Sequence, residues 1–242
     1  MSTHALVNNI DHKDLKIITE RSAEYGDNIW YSMTFPMEFR SIQAYYPIFF
    51  LKDANTGHFF STAIFGFTEQ ENLFLVDKKW DAAYVPLSVQ RQPFLIGVQN
   101  ITEDGIQKQH RVLQIDLNNP KVNTSEGEAL FLEFGGNTPY LDNAADVLET
   151  LHHGVEDDKV FVETLLEHNL LESFNLDVEL NDRSKHQMIG FYTINEDKLK
   201  ELSSDVLKSL HDKNYMQAIY MAIASQSNIR DLLNRKNRLM NL

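Results

Sequence analysis

Residues Gln43 to Phe94, QAYYPIFFLKDANTGHFFSTAIFGFTEQENLFLVDKKWDAAYVPLSVQRQPF, decide the fold. Aromatic and β-branched side chains crowd this stretch and are interrupted at short intervals by turn-forming residues, the pattern of strands in a meander. Ile48 to Leu51 and His58 to Phe67 are two apolar runs joined by Lys52-Asp53-Ala54-Asn55-Thr56-Gly57. Residues of that loop accept left-handed backbone angles, so a β-hairpin is predicted. Asn72 to Val76 reads as the next strand and Asp77-Lys78-Lys79 as a turn. Tyr84 to Val89 and Phe94 to Val98 read as two more extended segments, confined by Pro86 and Pro93 to edges or bends.

Working outward, Asp27 to Pro36 alternates through Ile29, Tyr31, Met33 and Phe35, as a half-buried strand ended by Pro36 would. Glu38 to Ile42 is a short turn or helix, and residues 1 to 27 form an extended lead-in over the core. Downstream, Thr102-Glu103-Asp104-Gly105 is a turn, and His110 to Leu117 is a strand stopped by Asn118-Asn119-Pro120. These connections are too short for parallel crossovers, so the pairing is antiparallel.

The cluster Gly135-Gly136-Asn137-Thr138-Pro139 marks a change of grammar. Beyond it the period becomes helical: Leu141 to His153 with Gly154 as its stop, then Asp157 to Leu171 with acids in its first turn. Ser173 to Leu180 and Gln187 to Ile194 are short strands. Asn195 caps a helix with Leu199, Leu202, Val206 and Leu210 on its apolar face, and a last helix runs from about Tyr215. The expected fold is α+β, a largely antiparallel β-sheet N-terminal half packed with a helix-rich C-terminal half. It divides into a lead-in (1–27), a β-rich region (28–135) and a helix-rich region with returning strands (136–242).

A net charge of -13, from 22 basic and 35 acidic residues, repels phosphate backbones and anionic lipid, which argues against nucleic acid as a partner. The last 15 residues depart from this: Arg230, Arg235, Lys236 and Arg238 against Asp231 make them +3 and leave -16 for the rest. Such a tail docks on its own acidic body or on another acidic protein. With no cysteine there are no disulfides and no thiolate chemistry. The longest apolar run, Tyr45 to Leu51, cannot span a bilayer, so no membrane insertion is expected and a cytoplasmic location is.

Among candidate sites, Trp80, Tyr84, Arg91 and Phe94 have the chemistry of a pocket for a planar or carboxylated ligand, by stacking and a forked guanidinium. The competing reading makes Trp80 and Phe94 core and lets Arg91 tie down a loop carbonyl or a carboxylate such as Asp77 or Asp81. His152 and His153 with Glu156, Asp157 and Asp158 are residue types that ligate iron or zinc. Gly154 breaks their spacing and no third ligand accompanies them, so no metal or other cofactor is expected. Asp53, Asn55 and Gly57 imitate the start of a calcium loop without its closing glutamate. Gly135-Gly136 lacks the lysine of a phosphate loop, and no serine sits in a nucleophile elbow. The C-terminal segment, with Arg230, Leu233, Arg235 and Arg238, reads either as a partner-binding amphipathic helix or as a helix packed on its own domain.

Several signals recur in a definite order: Glu38-Phe39 with Tyr46-Pro47, Glu71-Asn72-Leu73-Phe74 leading to Trp80, Tyr84-Val85-Pro86, and Arg91 with Pro93-Phe94. Gly127-Glu128 with Leu130-Phe131, the Gly135 to Leu141 segment, and Gly190-Phe191 leading through Ile194-Asn195-Glu196 to Lys198-Leu199 follow. In that order the chain resembles the SapC-like family of bacterial proteins, and the likeness covers roughly 30 to 235. It departs at Gln90 and Gln92, where the family often has a second basic residue and an aromatic. The resemblance implies an accessory role beside a halogenase-like flavoprotein or cupin-like protein, and the family's name points to surface-layer biology. It carries over no catalytic residues. The expected function is therefore a non-catalytic intracellular binding or accessory protein that holds a small ligand or a partner, a homo-oligomer included. A metal-dependent or carboxylate-based enzyme is the first alternative and a surface-layer-associated protein the second.

Overall fold

A computed structural model describes residues 3–103 and 106–240. In chain order, strands β1 (His4–Leu6), β2 (Lys16–Ile17) and β3 (Tyr31–Met33) precede the one-turn helix α1 (Phe39–Ile42). Strands β4 (Ile48–Lys52), β5 (Phe59–Ile64), β6 (Leu75–Val76) and β7 (Lys79–Trp80) lead to α2 (Leu87–Gln90). Next come β8 (Phe94–Glu103), β9 (Ile106–Asp116), β10 (Val122–Asn123), β11 (Glu128–Ala129) and the long helix α3 (Pro139–Glu167). The chain ends with β12 (Leu171–Glu179), β13 (Lys185–Ile194), α4 (Glu196–Lys200), α5 (Ser204–Asp212), α6 (Tyr215–Ser225) and α7 (Ile229–Leu239). This is an α+β protein with antiparallel sheets and a helix-rich C-terminal half.

Two compact units share the chain, one of residues 1–27 and 87–152, the other of 28–86 and 153–242. The first unit holds two three-stranded sheets, ordered β1-β9-β8 and β10-β2-β11, so the first 27 residues contribute strands to both. Its buried centre includes Ile17, Val89, Phe94, Ile115 and Leu130. Asp27 is also buried there, bonded by Lys121 Nζ at 2.7 Å and Arg21 Nη1 at 3.1 Å. Burial pulls the Lys121 pKa down while the Asp27 carboxylate opposes the shift, and the pairing offsets the cost of sealing both charges from water. The turn read at Thr102 to Gly105 reaches outside the described residues.

The second unit is built on a five-stranded sheet ordered β12-β13-β4-β5-β3, with β6 and β7 as a separate ribbon. The expected hairpin is there, with Ile48 opposite Ala63 and Lys52 opposite Phe59. Asp53 Oδ1 accepts from the backbone nitrogens of Asn55 and Thr56, so the calcium-like residues stabilise a turn. Asp77 and Lys78 adopt φ of 48° and 60°, as a two-residue connection between β6 and β7 requires.

Three expectations need correction. Of the segment Tyr84 to Val89, read as extended, Leu87 to Val89 is instead helical, in a turn that follows Pro86 and in which Arg91 N donates to Leu87 O. The single helix expected after Asn195 is two helices: Asn195 caps the first through Lys198 N and Ser203 caps the second through Val206 N. Gly154 does not end a helix but lies inside α3, where a Cβ would come within 2.4 Å of the Phe35 ring. The glycine is there to admit an aromatic face.

Asp158, four residues on, is 2 % exposed and accepts from Ser61 Oγ at 2.5 Å and Ser61 N at 3.0 Å. Burial raises its pKa from the ordinary 3.8 to about 7 against the lowering effect of those bonds. The unfolded chain therefore ionises first, and the stability this group contributes is lost as pH rises from about 4 through about 7. Asp158→Asn mimics the neutral acid. Urea unfolding should show the variant gaining on wild type by roughly 2–3 kcal/mol between pH 5 and pH 8, whereas parallel pH profiles would contradict the assignment. Gly154→Ala should cost roughly 1–2 kcal/mol in the same assay, because the clash with Phe35 outweighs the helix-propensity gain of about 1 kcal/mol.

Candidate functional site

Four rings, Tyr46, Phe65, Phe74 and Trp80, cluster in the second unit. Tyr46 meets Phe65 and Phe74 edge-on, with centroids 5.2 and 4.7 Å away, and Trp80 meets Phe65 at 5.1 Å. Trp80, 8 % exposed, donates Nε1–H to the Tyr46 hydroxyl at 2.7 Å, and that hydroxyl donates to the Tyr84 carbonyl. Tyr84 in turn donates its hydroxyl to Glu38 Oε1 at 2.9 Å, while Thr34 Oγ1 donates to Glu38 Oε2 at 2.7 Å. Burial pushes both phenols well above their ordinary pKa, and the Glu38 charge adds to the shift at Tyr84. They stay protonated as donors.

Of the four residues proposed from sequence as a ligand pocket, Trp80 and Tyr84 thus belong to the second unit, and Arg91 and Phe94 to the first. Phe94 is 0 % exposed, and half-buried Arg91 donates Nη1–H to the Phe94 carbonyl at 3.0 Å. Burial lowers the Arg91 pKa.

The basic C-terminal segment divides by side chain. Arg235 is 14 % exposed, lies 4.2 Å from the Phe74 ring centroid, and bonds both Asp81 and Asp231 at 2.7 Å. Lys236 pairs with Glu71, and Leu232 is buried. Leu233 is half-buried, whereas Arg230 and Arg238 are exposed.

His152 and His153 fall within the continuous α3, and His153 Nδ1 is 4.0 Å from Glu156 Oε2. The following acids diverge, Asp157 accepting from the Tyr215 hydroxyl at 3.3 Å and Asp158 turning to Ser61. Among the described residues no three His, Asp or Glu side chains converge as a metal site.

The same part of α3 shapes a cleft that the sequence reading missed. Phe161 packs edge-on against Phe39 of α1 at 6.0 Å and Tyr215 of α6 at 5.0 Å. Between these elements opens a cleft of about 400 Å³, within the size range of small-molecule sites. Pro36, Met37, Tyr215, Ala218 and Met221 give it apolar walls, and Arg40, Lys213 and Asp157 supply charge. Arg40 and Lys213 are exposed and make no ion pair among the described residues, although Lys213 Nζ lies 5.8 Å from the Tyr215 ring centroid. Burial and the neighbouring Asp157 push the Tyr215 pKa up to about 12. The arrangement suits an anion attached to an apolar body, since cations and thioethers face one space.

The family model described as SapC matches residues 7–232 of the 242. The chain belongs to the SapC family. No curated protein and no solved structure matches it. Among the described residues of this SapC-family chain, no helix is long and apolar enough to cross a membrane.

Arg235 distinguishes a docked α7 from a free one. Because a lysine cannot both stack on Phe74 and reach two carboxylates, Arg235→Lys should lower unfolding free energy by roughly 1–2 kcal/mol and speed amide exchange in α7. Exchange unchanged from wild type would show that the fork does not hold the helix.

Proposed function

We propose that this SapC-family protein is a non-catalytic accessory protein that holds, in the cleft of its second unit, a small carboxylate with an apolar body. The observation that carries this reading is the presence of Arg40 and Lys213, without ion-pair partners among the described residues, beside Met37, Tyr215 and Met221 in a chain of net charge -13. Two cations against the single Asp157 carboxylate leave the cleft lining net positive, which favours anions. The cleft walls supply the burial energy and the cations fix orientation.

The enzyme alternative could call on Asp158, whose pKa burial raises to about 7, but Ser61 occupies both of its oxygens and it is closed to solvent. A general base must reach its substrate. A protein partner, such as a halogenase-like flavoprotein or a cupin-like protein, remains part of the proposal, with exposed Arg230 and Arg238 of α7 as its contact.

Calorimetric titration tests the cleft, with phenylacetate as the anion and phenylacetamide as its neutral isostere. Phenylacetate should bind about tenfold or more tightly than the amide, and the double variant Arg40→Ala, Lys213→Ala should erase that preference. Equal binding of the two probes, or a preference that survives in the double variant, would overturn the reading.

A further inference from the structure

The first unit carries a side chain whose chemistry matches that cleft. After β11, Phe131 bridges Asn137 across a tight turn in which Gly135 N donates to Leu132 O at 2.9 Å and Leu132 N to Gly136 O at 2.7 Å. Gly135 takes φ of +89°, and Asn9 Nδ2 donates to its carbonyl at 2.7 Å from the opposite side. That left-handed φ favours glycine, and an added Cβ would have to displace the Asn9 amide nitrogen, 2.8 Å from where it would sit. The turn is therefore well braced.

What it braces is Phe134, 96 % exposed, with exposed Leu132 and Glu133 on the same turn and exposed Ile10 beside Asn9. A fixed turn that offers a whole phenyl ring to water has already lost the conformational entropy that docking would otherwise cost. Large apolar side chains clustered in the open mark interaction sites.

We infer that this finger is a docking element and that its occupant is a second copy of the chain: Phe134 of one copy seats in the cleft of another. Charge complementarity carries the choice. The finger joins an aromatic ring to the Glu133 carboxylate, and the cleft joins Met37, Met221 and Tyr215 to two cations, Arg40 and Lys213, against one carboxylate, Asp157, which leaves its lining net positive. A cleft of about 400 Å³ has room for the ring. Two fingers meeting each other would instead bring two Glu133 side chains together. The contact is heterologous, so one copy offers the finger and the next the cleft. The inference rests on the cleft being a binding site, and free ligand competes with the finger for it.

Sedimentation velocity over a concentration series tests it with wild type, Phe134→Ser, Arg40→Glu and the double variant Glu133→Arg, Arg40→Glu. Both altered side chains of the single variants are exposed, so folding is not at risk. Wild type should associate reversibly and more weakly at high salt, each single variant should weaken association about 30-fold or more, and the charge-swapped double variant should recover part of the loss. A wild type that stays monomeric at millimolar concentration would overturn the inference. So would association that survives Phe134→Ser or is indifferent to Arg40→Glu. Phenylacetate binding to the monomeric Phe134→Ser variant reports on the cleft alone, so loss of the finger and loss of the cleft give different results.

Discussion

The buried carboxyl of Asp158, which accepts from both the hydroxyl and the backbone nitrogen of Ser61 in β5, is the contact on which the second unit depends. It fixes the later part of α3 to β5, and the residues on either side of it in that helix then do the rest. Gly154 admits the ring of Phe35, Asp157 receives the Tyr215 hydroxyl, and Phe161 touches both Phe39 and Tyr215. Less than three turns of helix set the positions of α1 and the start of α6, which are the two walls of the cleft. Each contact is worth only about 1 kcal/mol net, yet they share one rigid element and so act together.

On the proposed reading, electrostatics gives the cleft its preference for anions. A body with a strong acidic excess keeps anions at a distance, except where cations are left unneutralised. In α7, Arg235 and Lys236 are consumed by Asp81, Asp231 and Glu71, which holds the basic tail on its own unit. Arg40 and Lys213 make no ion pair among the described residues, although Asp157 lines the same cleft, and on the proposed reading that leaves them available to a ligand. Glu133 beside Phe134 presents the same pairing of anion and ring within the chain itself.

What was legible in the sequence was what is local. The hairpin of β4 and β5, the strands β12 and β13, and the cap at Asn195 each follow from residues within a few positions of one another. The continuity of α3 was hidden because Gly154 signals a stop by propensity, whereas the ring that packs on it lies over a hundred residues earlier. The helical turn at Leu87 was read as extended because its apolar residues alternate as a strand's do. The proposed group Trp80, Tyr84, Arg91 and Phe94 is close in sequence but divided between the two units. The cleft, conversely, draws on residues 36–40, 157 and 213–221, and no motif links them. The one available signal was the pair of cations Arg40 and Lys213 flanked by methionines at 37 and 221, which carries no period.

The most direct measurement is methyl-region NMR of methionine-labelled protein titrated with phenylacetate. The account predicts saturable shifts of the Met37 and Met221 methyl groups, which line the cleft, with the remaining methionines unmoved. Absence of shifts at these two residues, or equal shifts at methionines elsewhere in the chain, would contradict it.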